Sequence, residues 1–301
     1  MISVTYRSAT MADAAPLARL RSVIRETTGH GRPATEADVI REFTAYATPE
    51  AVLLAEVGGD LVGWGFAAPN DDGGRSFLGG GVLPEYQGQG IGRHLLGWQL
   101  DQFGPAGLPI VSCRSTDQAT QALLRRFGLV LERGFLWMTR DMALPTVPAT
   151  TDLRIAAYAP GDDHALWVAH QEGFGEHFGF HPTPFEEWAG RFPRDERFRP
   201  DLSYAAWDGD DLVAFALCYV PSVTAEPAKT VVIEQVATRT PWRGRGAAGA
   251  LLATVIDAAR SAGVPELALN VDGENPTGAI RIYEKAGFVE SFRRLQFSRP
   301  Q

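Results

Sequence analysis

The sequence predicts two tandem copies of one mixed α/β (α+β) domain, each a mostly antiparallel sheet flanked by helices. Three observations carry this expectation. Gln87-Gly88-Gln89-Gly90-Ile91-Gly92 and Arg243-Gly244-Arg245-Gly246-Ala247-Ala248 are one small-residue loop met twice, each time after an apolar strand-like run and before an Ala- or Leu-rich helical pattern. The two loops are offset by 156 residues, and the later pairs Gly128-Leu129 and Gly287-Phe288 by 159. An almost constant offset of that size marks a repeated domain, because solenoid units recur every ~20–50 residues. Finally, 301 residues with 45% hydrophobic content are enough to bury a core in each half.

The elements follow from periodicity. Residues 3–7 read as a short strand, and a helix starts near Asp13, with Leu17, Leu20 and Ile24 recurring at helical spacing. A second helix is expected over 35–46. Residues 51–57 and 61–67 flank Gly58-Gly59-Asp60, a hairpin signal, and 77–83 form the strand entering the first glycine loop. A helix over 90–103 leaves that loop, and 110–113 are the next strand. Residues 141–152, with Pro145, Pro148 and several Thr and Ala, have linker composition, which sets domains at 1–145 and 152–301 around a linker at 146–151. The second half repeats the order: strand 153–156, helix 163–173, a short helix around 184–192, a hairpin from 204–207 to 212–219 across Gly209, and strand 230–238. After the second loop come helix 246–262, strand 267–271, helix 276–286 and a closing strand over 289–297.

Both loops point to an anion. Small residues let successive backbone N–H groups turn inward at a helix N-terminus, where unpaired donors and the helix dipole favour a group such as a pyrophosphate. A net charge of −8 argues against a nucleic-acid partner, which calls for a basic face. Cys113 and Cys218 fall in different halves within apolar runs, so they read as buried thiols in a reducing compartment. No apolar run approaches the ~18 residues needed to span a bilayer, and a soluble cytoplasmic protein is expected. The acidic pairs Asp71-Asp72 and Asp210-Asp211 read as hairpin turns.

These residues together resemble the Gcn5-related N-acetyltransferases, whose shared signature is Arg/Gln-x-x-Gly-x-Gly/Ala after the fourth strand. Gln87 to Gly92 and Arg243 to Ala248 both fit it. In the second half, Asn275-Pro276-Thr277-Gly278-Ala279-Ile280-Arg281-Ile282-Tyr283-Glu284-Lys285-Ala286-Gly287-Phe288 looks like the family's segment from strand five through helix four. Leu153-Arg154-Ile155 before an acidic helix start resembles the family's opening. The resemblance implies acetyl-CoA as co-substrate, no metal, and a small-molecule amine as acceptor. It implies that pyrophosphate sits on the backbone of Arg243, Gly244, Arg245, Gly246, Ala247, Ala248 and Gly249. The pantetheine arm would pair with Val236, Ala237 and Thr238, and Asn275 would contact the cofactor. Tyr283 matches the tyrosine that protonates the departing thiolate. Glu234 is the nearest strand carboxylate for the role of base; family members often carry that base two residues earlier, where this chain has Val232, and alternation puts 232 and 234 on one face.

The first half departs from the pattern. Aligned back from Gly128-Leu129, the tyrosine position falls on Leu124 and the asparagine position on Thr116. Its cradle is intact, with Gly80, Gly81, Val82, Gln87, Gly88, Gln89, Gly90, Ile91 and Gly92 as cofactor-binding candidates. The first domain is therefore expected to be catalytically silent, with CoA binding open and chemistry in the second domain. The tandem layout is similar to that of mycothiol synthases within the family, while other tandem members modify different small amines, including antibiotics. A non-catalytic module that senses acyl-CoA is the alternative. His170, His177 and His181 lack accompanying Cys or paired Asp at ligand spacing, so plain packing or solvent exposure is expected for them, with acceptor contact by one of them or by Glu176 the next reading ahead of zinc. The neighbouring Phe174, Phe178, Phe180, Phe185 and Trp188 read as lid and core. Monomer and homodimer both remain open.

Overall fold

A computed structural model of the chain describes every residue except 1, 29–32, 46–47, 69–74, 104–106, 222–229, 276 and 301. The chain forms two compact units: Met1–Arg133 with Leu295–Gln301, and Gly134–Arg294.

Unit 1 runs β1 (Thr5–Ser8), α1 (Ala14–Thr28), α2 (Glu36–Ala45), β2 (Val52–Val57), β3 (Asp60–Ala67), β4 (Arg75–Val82), α3 (Ile91–Asp101), β5 (Leu108–Arg114) and α4 (Gln118–Arg126). As the spacing predicts, Leu17 and Leu20 of α1 are buried with Val39 and Phe43 of α2 and Val52 and Leu54 of β2, and Ile24 packs against them. Gly58 and Gly59, at φ 62° and 93°, make the two-residue turn between β2 and β3. Helix α4 adds to the expected elements; Asp117 caps it, its Oδ1 accepting from the Thr120 amide at 2.9 Å.

Strands β1 to β4 pair antiparallel in chain order, and β4 pairs parallel with β5 only from Arg75/Leu108 to Leu78/Val111. Beyond Leu78 the two strands part. Buried Gln99 of α3 bridges the carbonyls of Phe66 and Gly79 at 2.7 and 2.6 Å. The glycine run in β4 has a steric cause: a Cβ at Gly80 would meet the Trp64 carbonyl at 3.0 Å.

Unit 2 contains residues 134–141 of β6 (Val130–Asp141), then β7 (Arg154–Ala157), α5 (Asp163–Phe174), α6 (Phe185–Arg191), β8 (Tyr204–Asp208), β9 (Asp211–Tyr219), β10 (Thr230–Thr238), α7 (Ala247–Ser261), β11 (Glu266–Asp272), α8 (Ala279–Lys285) and residues 289–294 of β12 (Val289–Ser298). The sheet order is β6-β11-β10-β9-β8-β7. Every residue of β9 after Asp211 is buried, because helices cover both faces. On one face Leu251, Leu252, Val255 and Ile256 of α7 pack on Val213, Ile233 and Leu267. On the other, Leu166 of α5 and Trp188 of α6 pack on Phe215, Leu217 and Tyr219. Each such aliphatic side chain is worth about 1.5–3 kcal/mol when fully buried. β10 pairs parallel with β11 only from Thr230/Glu266 to Ile233/Leu269, and a bulge against β9 falls between Ile233 and Gln235. The same splay therefore recurs in both units.

No helix or strand lies between Asp141 and Arg154, where the linker was expected, and the compact units part earlier, at Arg133/Gly134. The reason is that β6 does not stop at the end of unit 1: Phe135 to Asp141 pair with β11, and the chain's last residues return to unit 1. Buried Arg140 anchors the following segment, donating to the carbonyls of Leu144 at 3.1 Å, Pro145 at 2.8 Å and Ala286 at 2.8 Å.

Both cysteines are free and buried, and burial pushes the Cys113 thiol up to about 11. Gly209-Asp210 forms the turn between β8 and β9, whereas Asp71 and Asp72 lie outside the described residues, as does Pro276. Among the described residues no helix is long and apolar enough to cross a membrane.

Candidate active site

In unit 2, a cavity of about 620 Å³ opens where β10 and β11 part. Its floor is Val236, Ala237 and Thr238 on the β10 edge that has lost its β11 partner. At its phosphate end stand Arg243, Gly244, Gly246, Ala247, Ala248 and Gly249. Gly246 at φ 79° is the α7 N-cap and has no side chain to close the helix, so no side-chain cap claims the first-turn amides. The exposed donors and the positive end of the dipole suit an anion. The structure thus brings the predicted loop residues, Arg245 excepted, to one end of the cavity, where the helix start suits an anion such as a pyrophosphate.

Across the cavity, α8 contributes Ala279, Arg281, Ile282, Tyr283 and Lys285. Tyr283 is 8% exposed, and burial pushes its phenol up to about 12, so it carries its proton at neutral pH. Its ring meets Phe288 edge-on at 6.4 Å. His177 also lines the cavity; burial holds its ring below the ordinary histidine range, against the pull of Asp272 and Glu176.

Other candidates sit elsewhere. Glu234 lies at the β10 bulge, outside the cavity lining, with Arg197 Nη1 at 3.4 Å. The bulge interrupts the alternation that would place Val232 and Glu234 on one face. Burial raises its carboxyl above the usual range, with Arg197 opposing. Asn275 makes a turn instead of lining the cavity: its Oδ1 accepts from the Thr277 amide at 2.8 Å and hydroxyl at 2.5 Å, and Thr277 reaches the wall. Arg245 is likewise outside the lining, held by Asp152 and Asp208. His170 is packed between Phe174 and Phe192, and His181 is exposed, which leaves His177 as the one of the three at the cavity. Glu176 pairs with Arg243 at 2.6 Å.

Unit 1 has a cavity of about 720 Å³ at the matching splay, lined by Gly80, Gly81, Val82, Gln87, Gly88, Gln89, Gly90 and Gly92. Ile91 turns into the core instead. Leu124 stands on the α4 wall, and Asp117, the carboxylate of this lining, is spent on capping α4. Sequence reasoning missed Gln99, which lines this cavity and ties β3 to β4, and missed that Val147, Pro148, Ala149 and Thr150 of the linker line the unit 2 cavity. A polar residue at a buried helical position was a readable signal for Gln99; nothing in the linker's composition marked its contact.

Two α/β units, each with a parallel strand pair that splays over an uncapped helix start, define an acyltransferase architecture. The chain belongs to the Acetyltransferase (GNAT) family, whose sequence profile matches residues 17–129 and 164–288. It is similar to the mycothiol acetyltransferase of Streptomyces scabiei, 30% identical over 79% of this chain and 76% of that protein. The mycothiol acetyltransferase of Sanguibacter keddieii is 28% identical over 99% of this chain and 97% of its own. Among solved structures, a GCN5-related N-acetyltransferase from Sphaerobacter thermophilus aligns with a TM-score of 0.80 at 26% identity, covering 99% and 96% of the two chains. A tandem GNAT protein from the clavulanic acid biosynthesis pathway shares the fold, with a TM-score of 0.72 at 14% identity over 98% of each chain. The protein is an acyltransferase, and acetyltransferases of this family use acetyl-CoA.

Proposed function

We propose that the protein transfers an acetyl group from acetyl-CoA to the primary amine of a small molecule by direct attack, with the chemistry in unit 2. One observation carries the reading: the unit 2 cavity sets the buried, protonated phenol of Tyr283 opposite the unpaired β10 edge at Val236 to Thr238, beside the open N-terminus of α7. Acetyl-CoA supplies an activated thioester whose C–S bond breaks as the amine's N–C bond forms. The α7 amides hold the phosphates, and β10 N–H groups orient the arm and polarise its carbonyl. Glu234, its proton affinity raised by burial, takes the proton of the acceptor ammonium through water, and Tyr283 donates to the departing sulfur, its proton restored by the one the attacking nitrogen releases as the amide forms. In unit 1, where Leu124 lines the wall, no such donor faces the cavity among the described residues.

Similarity to mycothiol acetyltransferases along nearly the whole chain supports a small amine of that kind as the first acceptor to try. The experiment is to incubate the full chain with acetyl-CoA and a panel of small primary amines, following free thiol and the mass of the acetylated product. Acetyl-CoA binding without acetylation of any amine would replace this reading with that of a sensing module.

A further inference from the structure

The segment joining the two sequence repeats crosses the unit 2 cradle. Val147, Pro148, Ala149 and Thr150 line the same cavity as Gly246 and Tyr283. The approach is close: a Cβ on Gly246 would lie 2.4 Å from the Thr150 carbonyl oxygen, and one on Gly249 would lie 3.3 Å from the Ala149 Cβ. The unit 1 glycine that matches Gly246, Gly90, has nothing within 4 Å of such a carbon, and no linker residue lines that cavity.

Both ends of the segment are fastened to α7 or its loop. Upstream, Arg260 donates to the Leu144 carbonyl and the Thr146 hydroxyl, each at 2.7 Å, and Thr146 donates to Asp257 at 2.5 Å. Downstream, Thr151 donates to the Arg245 carbonyl at 2.8 Å. The Arg245 guanidinium grips Asp152 through Nε and Nη2 and reaches Asp208 through Nη1 at 2.8 Å. Each of its three nitrogens donates to a carboxylate, and the side chain is not among the residues that line the cavity.

We infer that residues 147–150 form a wall of the cofactor site, and that Arg245 is a positioning residue that holds this wall in place instead of a ligand to phosphate. The inference rests on the reading that the unit 2 cavity takes an acyl-CoA. An arginine inside the glycine loop invites a direct phosphate contact; in this chain it instead locks the linker across the helix start. The wall is built of uncharged residues, three of them apolar, so it shields the anion end of the site from water without adding charge of its own. Shielding strengthens the pull of the α7 amides on an anion.

The test is hydrogen exchange of the full chain with CoA as the probe, read on peptides covering 143–153, 243–251 and, for unit 1, 84–93. Both unit 2 peptides gain protection at the same CoA concentrations. Arg245→Ala and Asp152→Asn each shift the midpoint at 243–251 upward by about fivefold, as expected for a small surface charge network, while Arg245→Lys retains most of the affinity. Asp152→Asn is the discriminating variant: if Arg245 met phosphate directly, removing its carboxylate competitor would tighten binding, and that result overturns the inference. Protection at 243–251 with none at 143–153 overturns it too, leaving the cofactor reading in place. Absence of protection at 243–251 overturns the cofactor reading of unit 2 and the wall with it.

Discussion

Replacing Tyr283 by Phe removes one oxygen from the proposed site and little else. The side chain is 8% exposed within the α8 wall, and its ring contact with Phe288 is kept by Phe. Its pKa of about 12 exceeds the ~8.5 of an ordinary thiol by about 3.5 units, so full proton transfer to a free thiolate is uphill. The dry surroundings that raise the phenol raise the departing thiolate as well, which narrows the gap and leaves the phenol as a donor that shares its proton. That places the loss at the low end of the range for an acid–base group, about 10²-fold in kcat, or ~2.7 kcal/mol of barrier. Folding stability stays within about 1 kcal/mol, since the loss of a hydroxyl is offset by the lower cost of burying the ring. The assay is thiol release at saturating acetyl-CoA with the amine identified above, beside a urea titration of both proteins. A fall in kcat below threefold with unchanged stability would refute Tyr283 as donor, and a rise in the acetyl-CoA KM alone would recast it as a wall of the pocket.

Three further outcomes are expected. Gly246→Glu abolishes turnover, because the Thr150 carbonyl leaves no room and the new charge opposes phosphate; Gly90→Glu carries the same left-handed backbone strain, at φ 88°, but faces open space in unit 1 and spares turnover; equal damage would contradict the assignment of chemistry to unit 2. His170 stays neutral in the folded state down to about pH 4, while the unfolded chain protonates near 6.5. Stability therefore falls as pH drops through that window, by ~3 kcal/mol from this residue. His170→Phe flattens the decline between pH 7 and 4.5 in urea titrations, and an unchanged slope would exclude the histidine as its source. Arg140→Met strips charged donors from the carbonyls of Leu144, Pro145 and Ala286, lowering stability by about 2–4 kcal/mol in the same titration; a loss under 1 kcal/mol would show that water replaces them.

What the sequence revealed was whatever is local. Apolar spacing located α1 and α7, paired glycines located the β2–β3 turn, and the two cradles were legible because a left-handed N-cap demands glycine at 90 and 246. Tyr283 could be named because it sits in one contiguous segment, Asn275 to Phe288, that resembles the family's, and the structure puts it on the cavity wall. Glu234 and Asn275 were harder to place, since a bulge resets which face a strand residue occupies and an asparagine turn uses up the atom a ligand would need. Beyond the two hairpins, strand partnership was not legible. β6 was not among the expected strands, and its pairing with β11 comes from tertiary packing, which a single sequence does not encode. The same holds for Thr150 against Gly246, a contact between residues 96 positions apart.

The return of Leu295–Gln301 to unit 1 has a consequence for how the chain is made. During synthesis the first 133 residues emerge long before the seven that complete their unit, so unit 1 waits with an unfilled strand position until translation has passed through all of unit 2. A nick or a stop codon near residue 145 would not release a working half; it would leave one unit short of its last strand and deprive the other of residues 134–141. The two sequence repeats and the two compact units are therefore cut at different places along the polypeptide.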